Sequence, residues 1–151
     1  MESYNAIRLS SSVIFQLQWP FQEIIGCCEV VEEQLDIITS PAANITLSER
    51  RRRKTARHRA IIENLCVSSG YRRSGVGTAL VHACERVVRT WPGHHEIFAQ
   101  VRDDNLRARG LFLKHGYRFL FADPTCREVT LEDAFFAKEV VVMKAVFRKF
   151  L

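Results

Sequence analysis

Apolar residues along this chain recur with two periods, one suited to strands and one to helices. Ser12 to Trp19 and Ile24 to Val31 are rich in β-branched and apolar residues and read as two strands, with Pro20 to Glu23 as the turn between them. Leu35 to Ile38 continues the second strand or starts a third. From Thr39 to Arg59 the chain is polar, then basic, which predicts a long loop with a helical turn around Ser48 to Lys54. Ile61 to Val67 is the next strand, its apolar run interrupted by Glu63 and Asn64. Val76, Leu80, Ala83 or Cys84, and Val87 or Val88 then recur at three- and four-residue spacing, which predicts a helix ended by Trp91-Pro92-Gly93. Ile97, Ala99 and Val101 alternate as in a strand. Asp103 or Asp104 can cap a second helix from about Asn105 to His115, and Gly116 suits the left-handed position that closes it. Tyr117 to Phe121 predicts a strand, Ala122 to Lys138 a linker with a helical turn at Leu131 to Phe136, and Glu139 to Phe147 the last strand. The order predicts an α/β (α+β) sheet with helices packed on it.

The 151 residues suit one domain, and the 47% apolar and 26% charged shares are those of a globular chain. No apolar run nears the ~18 residues of a membrane span, so no membrane partner is expected. Charge is concentrated. Arg50, Arg51, Arg52, Arg53, Lys54, Arg57 and Arg59 lie together without an acid, and without these seven the net +5 becomes −2. The run reads as a solvated loop, or as a docking site for RNA, a ribosome or an acidic partner. Five cysteines, odd in number and without C-x-x-C spacing, predict reduced thiols and an intracellular protein, cytoplasmic first, with an organelle such as a plastid as the alternative. His94 and His95 sit beside Pro92 and Gly93 as in a turn, and no metal is expected.

The chemistry concentrates after Val67. Arg72-Arg73-Ser74-Gly75-Val76-Gly77 joins the end of a strand directly to the start of a helix. Free N–H groups and the helix dipole make such a start an anion site, and a pyrophosphate is its natural ligand. The loop lacks the Gly-Lys-Ser/Thr of a Walker loop and the third glycine of the dinucleotide fingerprint. A plain helix cap beside two arginines is the alternative.

One helix and one strand later comes Asn105-x-x-Ala108-x-x-Leu111-Phe112-x-x-x-Gly116-Tyr117. Together, Arg72-x-x-Gly75-x-Gly77 and this second pattern resemble the GNAT superfamily of acyl-CoA-dependent N-acyltransferases, closely over Ile61 to Phe121 and loosely in the strands on either side. The resemblance implies a mixed, mostly antiparallel sheet with helices on its faces and a shortened N-terminal helical part, in a single domain over 1–151 with a basic loop at about 39–59. It implies acetyl-CoA as cosubstrate, its pyrophosphate held by the backbone of Arg72, Arg73, Ser74, Gly75, Val76 and Gly77. The strand carrying Leu65 and Val67 would hydrogen-bond the pantetheine arm. That strand would splay from the one carrying Phe98 to Val101, with the acyl group in the opening. Asn105 would contact the cofactor arm, or simply cap its helix.

The reaction so implied is attack of a primary amine on the thioester, so a proton must leave an amine. Glu63 stands where some small-amine acetyltransferases of the superfamily carry a glutamate, and is expected to take that proton; the alternative pairs it with an arginine such as Arg59. Phe112 stands where many relatives have a tyrosine that protonates the leaving thiolate. Tyr117, Cys66 and His115 are the conceivable substitutes. The expected acceptor is a protein α-amine or lysine, slightly ahead of a small amine, in a monomer or homodimer. A catalytically weak acyl-CoA-binding module and an RNA- or ribosome-associated adaptor are the rivals.

Overall fold

A computed structural model of the chain describes residues 3–8, 12–18, 23–35, 58–133 and 136–151. Seven strands form one sheet: β1 (Ser3–Arg8), β2 (Ser12–Gln18), β3 (Ile24–Gln34), β4 (His58–Val67), β5 (Glu96–Arg102), β6 (Arg118–Asp133) and β7 (Phe136–Phe150), in the order β1-β2-β3-β4-β5-β7-β6. All neighbours are antiparallel except β4 and β5, which run parallel. Helix α1 (Val76–Val88) provides the crossover between these two, as a parallel connection requires. Helix α2 (Leu106–Lys114) joins β5 to β6.

Alternation along the strands sorts residues between the two faces. Ala60, Ile62, Ile97, Ala99, Ala145 and Phe147 join Leu80, Val81, Cys84 and Val88 of α1 and Phe112 of α2 in the larger core. Ile61, Phe98, Phe121, Val31 and Val146 form a smaller cluster on the opposite face. Both described helices therefore pack on one face of the sheet. Cys28 lies on that face with its sulfur 3.1 Å from that of Cys84, while its neighbour Cys27 is the cross-strand partner of Cys66. Adjacent cysteines thus point to opposite faces, and all five are free thiols.

Several sequence expectations are corrected. Residues 122–133, expected as linker, belong to β6, and β7 begins at Phe136 rather than Glu139. Pro124 and the polar residues around it hide the strand. Pro124 falls in a register shift between Asp123 and Cys126, where a missing N–H disturbs no ladder bond. Ser3–Arg8 forms a strand that the pattern did not predict, and only three residues separate it from β2. The basic loop ends earlier than Arg59. His58 and Arg59 open β4, and Arg59 is buried, paired with Glu96 and lying over the Phe98 ring at 4.9 Å. The remainder of that loop and of the basic run, residues 39–57, lies outside the described residues, as do 36–38. Among the described residues no helix is long and apolar enough to cross a membrane.

Candidate active site

Two local irregularities open a cleft in this sheet. The first is in β4. Cys27 pairs with Cys66 and Glu29 with Glu63, so Cys28 alone faces both Asn64 and Leu65: a β-bulge. Asn64 takes up the left-handed conformation at φ 52°, which asparagine tolerates better than most residues, and its amide donates to the Glu29 carboxylate at 3.1 Å. The bulge resets the alternation, so that Ile62, Leu65 and Val67 face the helices while Glu63 faces the other side. The second irregularity is the end of the β4–β5 pairing. Ala60, Ile61 and Ile62 pair with Ile97, Phe98 and Ala99, and the ladder stops there although both strands continue. The strands splay.

A cavity of about 200 Å³ lies in the opening. On its apolar side are Ile62, Leu65, Val101, Ala108 and Phe112; on its polar side are Glu63, Gln100, Arg102, Glu128 and Lys144, with Asn64 and Asn105. Of the residues expected from sequence, Glu63, Leu65, Asn105 and Phe112 thus come together. Arg102, Glu128 and Lys144 were not anticipated. They come from β5, β6 and β7, and no spacing along the chain relates them to Glu63. Glu128 bridges the other two, at 3.6 Å from Arg102 and 3.4 Å from Lys144.

Glu63 is half-buried. Burial first, then the Glu33 and Glu29 carboxylates, push its pKa above the usual carboxylate range, against the pull of Lys144. The suggested pairing with Arg59 does not occur, since that guanidinium is held by Glu96. Asn105 caps α2, its side-chain oxygen accepting from the Ala108 N–H at 3.1 Å, and lines the cavity as well. The Phe112 ring is 1% exposed and meets Tyr117 edge-on, with centroids 5.0 Å apart. None of the substitutes for a hydroxyl at Phe112 lines the cavity. Tyr117 is a core residue whose hydroxyl is pushed well up by burial and then by Glu85. His115 is bound to the Thr78 hydroxyl at 3.0 Å, and Cys66 is exposed on β4.

β4 runs from this cavity to the start of α1. After a short 3-10 turn at Ser69–Tyr71 the backbone reverses its handedness at Arg73 (φ 69°) and Gly75 (φ 94°), and the helix begins. The first helical bond runs from the Ala79 N–H to the Gly75 carbonyl at 2.9 Å, so the N–H groups of Val76, Gly77 and Thr78 precede it. Arg72 and Arg73 are exposed, and Arg72 Nε donates to the Val67 carbonyl at 3.2 Å. Gly77 serves packing as well. A Cβ there would lie 3.3 Å from Leu111 of α2 and 3.8 Å from Val67. Glycine therefore lets α1, α2 and the end of β4 meet closely. Among the described residues no group of three or more His, Cys, Asp or Glu could hold a metal ion.

A splayed parallel pair in a mostly antiparallel sheet, with a glycine-opened helix after the bulged strand, defines the architecture of the acyl-CoA N-acyltransferases. The chain belongs to the acetyltransferase (GNAT) family, whose model matches residues 5–117. It is 35% identical over 66 residues to GCN5-related N-acetyltransferase 7, chloroplastic, of Arabidopsis thaliana, a match covering 44% of this chain and 24% of that relative's length. Among solved structures, Arabidopsis thaliana NAA60 in complex with acetyl-CoA superposes with a TM-score of 0.64 at 15% identity, over 95% of this chain and 78% of that one. A GNAT family acetyltransferase from Elizabethkingia anophelis with acetyl-CoA bound gives 0.62 at 13%, over 94% and 78%. Arabidopsis thaliana Naa50 with the bisubstrate analogue CoA-Ac-MVNAL gives 0.60 at 17%, over 91% and 72%. At these identities the superpositions establish the fold.

Proposed function

We propose that this chain transfers an acetyl group from acetyl-CoA to a primary amine. The observation that carries the reading is the cleft between β4 and β5, with Glu63 on its polar side, on the strand that leads to the glycine-opened start of α1. The pyrophosphate would rest on the N–H groups from Val76 to Thr78, with Arg72 and Arg73 adding charge. The backbone of Leu65 to Val67, beyond the end of the β4–β5 ladder, would hold the pantetheine arm, and the thioester would lie in the cleft against Phe112. The amine enters from the polar side. Glu63, ionised, takes its proton directly or through water as nitrogen attacks the carbonyl carbon, and the thiolate leaves. With phenylalanine at 112, water reprotonates the thiolate, whose conjugate thiol has a reference pKa near 8.5. The peptide portion of the Naa50 analogue supports a protein amine as acceptor. The chloroplastic relative supports a plastid address, which a fluorescent fusion would test.

The test is release of free thiol from acetyl-CoA against a panel of peptide α-amines, lysine peptides and small amines, with melting shifts for acetyl-CoA, coenzyme A and RNA in parallel. A shift with RNA and none with either coenzyme would sink the reading in favour of an adaptor. Binding without transfer to any amine would leave the second reading, a catalytically weak acyl-CoA-binding module, which Phe112 favours.

Phe112→Tyr separates these readings further. If expulsion of the thiolate limits turnover, a hydroxyl directed into the cleft raises kcat by about tenfold or more. If proton removal limits, kcat stays nearly unchanged. A variant that binds acetyl-CoA yet acetylates nothing, like its parent, identifies a binding module.

The basic run is expected to be dispensable for the chemistry. It leads into His58, roughly 17 Å of strand before Glu63. Neutralising Arg50, Arg51, Arg52 and Arg53 together should leave turnover of a small amine within a few-fold, while weakening any salt-sensitive association with acidic partners. A loss of acetyl-CoA affinity beyond about tenfold would instead put the run over the cofactor.

A further inference from the structure

The polar side of the cleft holds more charge than proton removal by Glu63 requires, and its arrangement is unequal. Glu63 sits directly opposite Glu29 in the β3–β4 ladder, and Glu33 lies four residues further along the same face, two repeats of the pleat away. Like charges directly across a ladder repel, and partial burial deepens the penalty. Left alone, these neighbours would favour a protonated Glu63, which cannot accept a proton. Two cations line the same cavity. Arg102 is already engaged, its guanidinium donating to both oxygens of Asp104, at 3.2 and 2.9 Å, with Glu128 beyond. Among the described residues Lys144 has a single ion-pair contact, the 3.4 Å approach to Glu128. Its backbone is fixed between β5 and β6, opposite Arg102 and Asp123, and its side chain is 19% exposed. Asn105, which caps α2, and the α2 residues facing the cleft, Ala108 and Phe112, carry no charge.

We propose that Lys144 is a positioning residue for the reaction: its ammonium, tethered by Glu128 on the polar side of the cleft, offsets the Glu29 and Glu33 carboxylates and keeps Glu63 in the charged form that accepts the proton. Among the described residues that act on Glu63, Lys144 favours its ionised state. The inference rests on the reading of Glu63 as the base, but the two can be told apart. Glu128 sets the strength of the effect, because a carboxylate beside Lys144 cancels part of its field.

The test is the carboxyl titration of Glu63 by NMR in the full chain labelled with 13C-glutamate, the signal assigned by its loss in Glu63→Gln. Lys144→Met should raise the Glu63 pKa by about half a unit to one unit. Lys144→Arg should restore it, and Glu128→Gln should move it the other way. The acid limb of kcat/KM should move upward with the carboxyl, at unchanged KM for acetyl-CoA, a displacement that a merely structural lysine would not cause. Should Lys144→Met not fold, Lys144→Gln carries the same expectation. A Glu63 titration that stays put in a folded Lys144 variant overturns the proposal, whatever the activity does. A carboxyl that moves while the acid limb does not would uphold the charge pairing and remove Glu63 from the role of base.

Discussion

Glu63→Gln is expected to lower kcat/KM by ~10²-fold or more with little change in affinity for acetyl-CoA. The substitution keeps the shape of the side chain on the bulged strand and removes the proton acceptor. The pH dependence follows from the direction of the shift. Burial and the β3 carboxylates raise the Glu63 pKa, so activity in the parent should fall on acidification from a point above the ordinary carboxylate range. That limb should flatten in the variant. Stability should move the opposite way. A carboxyl whose folded pKa lies above its unfolded value binds protons more tightly when folded, so its ionisation weakens the fold as pH rises through the unfolded and then the folded pKa. Glu63→Gln removes this penalty, and the variant should melt no lower than its parent at neutral pH. Activity lost with stability kept excludes misfolding as the cause. Equal activity with an unchanged profile would make Glu63 a structural residue.

Gly75→Glu is expected to abolish the melting shift produced by coenzyme A. A ligand at a hundred times its Kd stabilises the folded state by about 2.7 kcal/mol, which for a chain of this size is a shift of roughly 5–10 °C. A carboxylate at the start of α1 would meet the pyrophosphate directly. The backbone there adds a second effect, because φ is 94° and any L side chain is strained by on the order of 1 kcal/mol or more. Gly75→Ala separates the two. No atom lies within 4 Å of a Cβ at this position, so alanine carries the strain without a clash or a charge. Alanine should lower the baseline melting temperature and keep most of the shift; glutamate should lose the shift. An undiminished shift in Gly75→Glu would defeat the placement of the pyrophosphate.

How much of this was readable in the chain depends on whether the signal was local. The amphipathic spacing from Val76 to Val88, the glycine start at Gly75 and the left-handed Gly116 are short-range features, and each appears close to where the residues put it; the cap of α2 falls on Asn105 rather than on Asp103 or Asp104. Glu63 and Asn64 interrupting an apolar run were the visible mark of the bulge, since two polar residues in succession break the alternation of a strand. The pattern misread residues 122–133, where Pro124 and polar neighbours suggest a connection. Pairing with β7 makes them strand, and that contact lies outside any local window.

The sequence by itself therefore determined the order of elements from β4 to α2, the glycine-opened start of α1 and four of the cleft residues. Only the tertiary structure decided the cleft. Its opening exists because the β4–β5 ladder stops at Ile62 and Ala99, and its polar side is assembled from β4, β5, β6 and β7. The charges that act on Glu63 lie on β3 and β7, from 34 residues before it to 81 after it, and their effect depends on distance and burial in space. Spacing along a chain encodes which face a residue takes within its own element; which charges meet across a fold is decided by how the strands are ordered in the sheet.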